Sequence, residues 1–351
     1  MTNRSVFAAW ILWTLVSTAL AAASVFAAEA TTALPEPVVL DQGKKTGHTH
    51  PSICRTPRGT LVVVYQHTYT TPLMMTRSKD NGASWEKPQP LEFTAVRPEF
   101  VQPVEVFQVY PGTLDTLPDG RMLLTWNYIA GSPKEGYYAR PLLYATSDDD
   151  GRSWSATGCC RRADGSHLGA VRQSVLALDK DRWLLALRDE APDVLFDAAQ
   201  GTVEPYPISG RQGSKRPSIL QFVRTAKGTL LAMGEELLRS TDDGKSWQAI
   251  EGFPGPTSGD SGQGRHLVPL PGGEVVVTWG NGHGNQGFRL SISRDDGQTW
   301  SEPLDRLPEM AVTARFGSPR TIPIDKQTLG TAFFNGGGLY FVRTPLDALK
   351  Q

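Results

Sequence analysis

Four stretches decide the fold: Ser78-Lys-Asp80-Asn-Gly82-Ala-Ser84-Trp85, Ser147-Asp-Asp149-Asp-Gly151-Arg-Ser153-Trp154, Ser240-Thr-Asp242-Asp-Gly244-Lys-Ser246-Trp247 and Ser293-Arg-Asp295-Asp-Gly297-Gln-Thr299-Trp300. They share the pattern S-x-D-x-G-x-x-W, whose physical content is a turn. Asp and Ser side chains bond nearby backbone N–H groups, and Gly supplies a position with φ > 0. The Trp then returns as a large apolar anchor at the start of the next strand. Each copy predicts a tight hairpin locked by its own side chains. Its carboxylates are assigned to the turn and not to catalysis.

A weaker repeat precedes these hairpins: a polar start, a strand, a turn, then a second strand ending in a large residue. The copies are His50 to Gly59 with Leu61 to Tyr65, Tyr110 to Gly120 with Met122 to Trp126, and Arg172 to Asp181 with Trp183 to Leu187. Arg216 to Gly228 with Leu230 to Met233, Arg265 to Gly273 with Val275 to Trp279, and Arg320 to Lys326 with Leu329 to Phe333 complete six. Their turns recur about every fifty residues, with the longer gaps early. Six units of strand, turn, strand, hairpin and strand predict an all-β, six-bladed β-propeller. Runs such as Val62-Val63-Val64 and Val275-Val276-Val277 suit strands buried on both faces between blades. Blade three lacks the Trp-closed turn, with Asp197-Ala-Ala-Gln-Gly201 as its remnant. Blade six shows three strands, ending in Gly338 to Arg343. Its fourth is expected from Pro37-Val-Val-Leu-Asp41, which closes the ring.

The N-terminus reads as a leader. Arg4 precedes an apolar run from Val6 to Ala28, and Val25-Phe26-Ala27 carries the small residues of a cleavage site. Residues 1–27 are therefore expected to be a signal peptide and 28–351 the propeller, which places the protein in the periplasm or outside the cell. An uncleaved anchor is the competing reading, because the run is long. No membrane span is expected after cleavage. The chain's net charge of −1 becomes −2 without Arg4 and implies no nucleic-acid partner. Three cysteines, Cys54, Cys159 and Cys160, form no disulfide framework and have no metal-site spacing. One bridge with a leftover thiol and three free thiols both remain open.

The S-x-D-x-G-x-x-W turns resemble the Asp-boxes (BNR repeats) of the sialidase, or neuraminidase, superfamily, whose propeller also has six blades. That resemblance covers nearly the whole exported chain. It implies an exo-α-sialidase type of glycoside hydrolase acting on a terminal sialic or other acidic sugar through an oxocarbenium-like transition state. It also implies an arginine triad for the sugar carboxylate, a Tyr–Glu nucleophile pair and an Asp acid/base, with Tyr replacing the usual second carboxylate. The family's R-I-P tripeptide at the start of blade one is replaced here by His48-Thr-His50-Pro51-Ser-Ile53. Trp183-Leu-Leu-Ala-Leu-Arg188-Asp189 resembles a strand ending in a triad arginine. Gly264-Arg265-His266-Leu-Val contains no Tyr to match the nucleophile motif.

Read from the residues themselves, the six strand starts ring one mouth of the propeller. They are His50, Tyr110, Arg172, Arg216, Arg265 and Arg320, and four arginines at one position would form a funnel suited to carboxylates. The bland reading pairs these arginines with Asp or Glu at the rim. Arg188 and Arg315 are the next binding candidates. Glu105 is the candidate activator of Tyr110, and Asp260, on the loop into Arg265, the candidate acid; their plain alternatives are a loop Glu and a turn-capping Asp. His48, His50, His67, His266 and His283 lack a helical H-E-x-x-H, so no metal and no cofactor are expected. Two other functions stay open: a non-catalytic glycan- or protein-binding propeller, and an Asp-box hydrolase or lyase acting on another acidic glycan.

Overall fold

The structure is a computed structural model. It describes residues 34–42, 50–66, 72–97, 99, 106–132, 136–139, 141–169, 171, 173–187, 193–206, 208, 219, 221–234, 236–255, 265–280, 286–311, 319–335 and 338–349. The expected leader lies outside these. The first strand is β1 (Val38–Gln42). Blade one follows as β2 (Ser52–Arg55), β3 (Leu61–Tyr65), β4 (Leu73–Ser78) and β5 (Gln89–Leu91). Blade two comprises β6 (Val106–Thr116), β7 (Met122–Ser132), β8 (Gly136–Ala139), β9 (Leu142–Ser147) and β10 (Gly158–Cys160). Blade three is β11 (Leu176–Ala177), β12 (Arg182–Leu185), β13 (Val194–Asp197) and β14 (Thr202–Pro205). Blade four is β15 (Gln221–Arg224), β16 (Leu230–Met233), β17 (Leu237–Ser240) and β18 (Gln248–Ile250). Blade five is β19 (His266–Pro269), β20 (Val275–Gly280), β21 (Gln286–Ser293) and β22 (Leu304–Ala311). Blade six is β23 (Arg320–Pro323), β24 (Thr328–Asn335) and β25 (Gly338–Pro345), with β1 as its outer strand.

This is a six-bladed β-propeller, and the N-terminal strand closes it. β1 pairs antiparallel with β25, from Val38 opposite Phe341 to Gln42 opposite Gly338. Leu40 is buried there, and Tyr65 of blade one donates its phenol to Asp41 Oδ2 at 2.6 Å. The blade-three remnant is a true turn: Gln200 N–H donates to Asp197 Oδ1 at 2.9 Å, and Gly201 has φ 66°. All three cysteines are free thiols.

The four S-x-D-x-G-x-x-W turns share one hydrogen-bond pattern. Ser Oγ donates to Asp Oδ1 at 2.8–2.9 Å and accepts the Gly N–H at 2.8–2.9 Å. The Asp also accepts the N–H and hydroxyl of the Ser or Thr four residues on. The hydroxyl of Ser84 is the main reason Asp80 sits down at about 2, and Ser246 does the same for Asp242. In Asp149 burial opposes the shift, but the bonds from Ser153 outweigh it and also bring it to about 2.

The turns do more than lock their own hairpins. The propeller core divides into six apolar clusters among the described residues, one at each seam between neighbouring blades. Each turn inserts its Trp into the seam with the preceding blade: Trp85 meets Phe341 edge-on at 5.0 Å, and Trp300 meets Phe253 at 5.4 Å. The turn glycine lies in the same seam. A Cβ on Gly82 would collide with the Phe341 ring, and one on Gly244 with the Tyr206 hydroxyl. Two turns add a polar stitch through the residue before Gly, which adopts a left-handed conformation at φ 61° in Asp150 and 66° in Asp296. Asp150 accepts from Thr60 of blade one at 3.1 Å, and Asp296 accepts from Thr229 of blade four and from Arg239 at 3.0 Å.

Two outcomes follow for stability. Deleting residues 36–42 leaves β25 as an open edge and strips cover from the seam between blades six and one. The expected loss is about 3 kcal/mol or more, read as a clear fall in Tm. Asp296→Ala leaves Arg239 and Thr229 without their buried acceptor and should cost about 2–4 kcal/mol in urea unfolding.

Candidate functional site

Each inner strand ends in a turn closed by the same main-chain bond. The N–H groups of Thr56, Leu117, Leu178, Thr225, Leu270 and Ile324 donate to the carbonyls of Thr60, Arg121, Arg182, Thr229, Glu274 and Thr328. These six donors are equivalent positions, and counting back from them puts the inner strands in a common register. Four residues back stand Ser52, Thr113, Ser174, Gln221, His266 and Arg320. All are polar, and all but Ser174 are fully buried.

These side chains form a girdle that joins blade to blade. Ser52 Oγ accepts the N–H of Leu114 in blade two at 2.8 Å. Gln221 Oε1 accepts the N–H of Leu267 in blade five at 2.7 Å, and its Nε2 donates to Leu267 O at 2.9 Å and to Ser174 Oγ of blade three at 2.8 Å. His266 Nδ1 accepts the N–H of Thr321 in blade six at 3.3 Å. At the seam between blades two and three the acceptor is Asp115 Oδ2, which takes the N–H of Val175 at 3.0 Å. In each of the four main-chain N–H bonds the donor is the residue after the girdle position of the following blade. An inner strand has no sheet neighbour across the seam, so a side chain stands in for the missing ladder partner.

Arg320 is the exception in this ring, because a guanidinium can only donate. Burial pulls it down to about 10 while Asp115 pulls it upward, so it remains a cation at neutral pH. Burial, aided by the positive charge of Arg320, holds His266 well below its ordinary value. With Nδ1 accepting, its imidazole is neutral and carries the proton on Nε2. Asp115 keeps some accessible surface yet lies deep in the ring. Burial raises it to about 6, against the Thr113 hydroxyl, the Val175 N–H and the charge of Arg320. Asp115, Arg320 and His266 thus form one electrostatically coupled group contributed by three different blades.

The structure places the sequence candidates as follows. Tyr110 lies in β6 opposite Asn127 and is part-buried. His50 is part-buried two residues before β2, at φ 31° ahead of Pro51. Arg265 is buried at the seam between blades four and five; its Nη1 donates to Gly234 O at 3.2 Å and its guanidinium lies 5.3 Å from the centre of the Phe253 ring. Arg320 opens β23 within the girdle. Glu105, Arg172, Arg188, Arg216, Asp260 and Arg315 lie outside the described residues, as do His48, His67 and His283. One expectation is corrected. The four described strand starts do not share one position, because His50, Tyr110, Arg265 and Arg320 stand six, seven, five and four residues before their turn donors. An odd difference along a strand moves a side chain to the opposite face, which is why Arg265 and Arg320 point into different surroundings.

Asp115 and Gln221 were not among the sequence candidates; the available signal for Gln221 was a polar residue four positions before each inner-turn donor. Among the described residues no three His, Cys, Asp or Glu side chains gather as a metal site, and no helix is long and apolar enough to cross a membrane.

The architecture is a six-bladed β-propeller, and solved structures of this fold resemble the chain. A protein of unknown function from Dyadobacter fermentans is 21% identical over 88% of this chain and 98% of its own, with a TM-score of 0.64. The NanB sialidase from Streptococcus pneumoniae is 12% identical over 90% of this chain and 71% of its own, with a TM-score of 0.62. An α-L-arabinanase from Penicillium chrysogenum is 16% identical over 89% of this chain and 98% of its own, with a TM-score of 0.60. At these identities the likeness establishes the fold. No protein-family model matches the sequence. No curated protein matches it either.

The titrations have opposite signs. Asp115 is raised in the fold, so its stabilising contribution is complete below about pH 4 and is lost as pH rises through about 6. Asp80, Asp149 and Asp242 are lowered, so theirs is present above about pH 4 and fades as pH falls toward 2. Denaturant titrations of the wild type and Asp115→Asn should therefore diverge between pH 4 and 6. The wild type should lose on the order of 1–3 kcal/mol relative to the variant over that window.

Proposed function

We propose that the chain is an exported glycoside hydrolase of the sialidase-like propeller class that removes a terminal acidic sugar from a glycan. The observation that carries this reading is Arg320. It keeps its positive charge in the girdle, coupled to the carboxyl of Asp115, on the inner strands that also present Tyr110. Burying a guanidinium is costly, and its planar fork suits a sugar carboxylate. In this reading Tyr110 Oη attacks the anomeric carbon as Glu105 takes its proton. The glycosidic C–O bond breaks, and Asp260 supplies a proton to the departing oxygen. Water, deprotonated by Asp260, then attacks the anomeric carbon, the bond to Tyr110 Oη breaks, and Glu105 returns its proton to that oxygen, which restores all three groups. Tyr is the better nucleophile here because an anionic sugar repels a carboxylate.

A second reading, a non-catalytic glycan-binding propeller, draws on Arg265, whose guanidinium is engaged at the seam between blades four and five. A hydrolase or lyase for another acidic glycan shares the support from Arg320. The mixed enzymes among the similar structures leave the sugar unassigned by fold alone.

The test is turnover of a fluorogenic sialoside beside a panel of other acidic and neutral glycosides. Hydrolysis confined to an acidic sugar is expected. Tyr110→Phe should lower kcat by about a thousandfold or more at unchanged Tm, since a covalent route loses its nucleophile. Full activity in that variant would remove Tyr110 from the mechanism. Binding of an acidic sugar without cleavage of any glycoside would favour the second reading.

A further inference from the structure

The outer edge of blade two carries a group of side chains that the axial site does not use. β10 is the outermost strand of its sheet, and it runs into a hairpin that returns at His167. Arg162 N–H donates to Ser166 O at 2.8 Å, and Gly165, at φ 82°, donates its N–H to Arg162 O at 2.9 Å. The Asp164 carboxylate is committed to that turn, accepting the Ser166 N–H at 2.9 Å. Next to it Arg161 and His167 face each other as an antiparallel bridge, and Leu168 N–H donates to Cys160 O at 3.3 Å.

This geometry sorts the side chains onto two faces. Residues two apart on a strand share a face, and so do cross-strand partners. Cys159, Arg161 and His167 therefore project together, and Cys159 Sγ lies 3.7 Å from His167 Nδ1. Cys160 points the other way and is buried in the seam between blades two and three, whereas Cys159 packs against the seam between blades one and two. Cys54, on the innermost strand of blade one, is also buried. Only Cys159 of the three thiols is part-exposed. Burial raises its thiol, against a hydrogen bond from Arg161 and that residue's positive charge. Burial, with the charge of Arg161, lowers His167, so its imidazole is neutral at neutral pH. A neutral imidazole beside a thiol can take its proton, and a guanidinium there favours the thiolate.

We propose that Cys159 is a thiol-modification site whose base is His167 and whose reaction partner is a low-molecular-weight disulfide. As Cys159 Sγ attacks one sulfur of that disulfide, the thiol proton passes to His167 Nδ1. The new S–S bond forms as the old one breaks, and the departing thiolate takes the proton from His167 and leaves as a thiol. One disulfide and one thiol are consumed, and one of each is produced. A bridge between Cys159 and Cys160 would need both sulfurs on one face of β10, which the pairing of Cys159 with Leu143 and Cys160 with Leu142 prevents. Cys160 therefore does not resolve the adduct, which persists until an external thiol removes it.

The experiment incubates the native protein with oxidised glutathione, follows the intact mass and maps the adduct by digestion. One glutathionyl group on Cys159, released by dithiothreitol, is expected. An adduct on Cys54 or Cys160 instead, or none on the native protein when the urea-unfolded chain takes up glutathione, would overturn the site. His167→Gln should slow the reaction about tenfold or more near pH 7, with the gap closing toward about pH 10, where hydroxide removes the proton instead. A variant that keeps or exceeds the wild-type rate near neutral pH, or is slowed equally at every pH, removes His167 as the base. The wild type alone gives a second reading that no unfolded variant can spoil. Its rate should level off at about pH 7, and a rate that climbs about tenfold per pH unit throughout marks an unassisted thiol and overturns the base.

Discussion

The structure depends on filling the wedge between blades. Two twisted sheets that radiate from an axis diverge outward, and the gap between them must be closed with apolar volume. Here the closing pieces arrive on turns: a Trp from one blade enters the seam with the blade before it, and the turn glycine lets the chain approach closely. Trp85 against Phe341 shows the arrangement, with Gly82 under the same ring. The Ser–Asp hydrogen bonds hold that Trp in place, so the polar half of the motif serves its apolar half. Near the axis, where the blades converge and no wedge remains, polar side chains at one register position replace apolar packing.

These two regimes explain what was legible in the sequence. The turns were legible because one geometry recurs with the same residues, and the propeller, its six blades and its closing strand followed from them. The girdle was not, because Ser52, Thr113, Ser174, Gln221, His266 and Arg320 share only polarity and a distance from a turn whose own sequence varies. Reading each blade from its first conspicuous polar residue placed Arg265 and Arg320 in one ring, although they differ by one residue in register. A one-residue difference leaves the pattern of a sequence almost unchanged and reverses a side chain's direction. The extension of β7 beyond Trp126 was missed for a related reason: Asn127 to Ser132 lacks the β-branched run that marked the other strands.

The axial group also separates the two demands on this fold. Ser52, Gln221 and His266 satisfy backbone groups and need no ligand to account for them. Arg320 accepts no N–H group, and at the seam between blades two and three it is the carboxylate of Asp115 that takes the Val175 N–H. Five neutral members at one register position and one cation, coupled to the carboxyl of Asp115, give the ring a built-in direction. That asymmetry is a property of the site and not of the propeller.

The pairing of β1 with β25 has a consequence for how the chain reaches its fold. Val38 and Phe341 are partners across almost the entire sequence. Bringing such distant segments together carries a loop-closure entropy of about 5 kcal/mol, unless the intervening blades have already assembled. Closure is therefore favoured last, after successive hairpins have shortened the effective loop. During synthesis β1 emerges first and its partner emerges close to the end, so the nascent chain carries an unpaired strand for nearly its whole length.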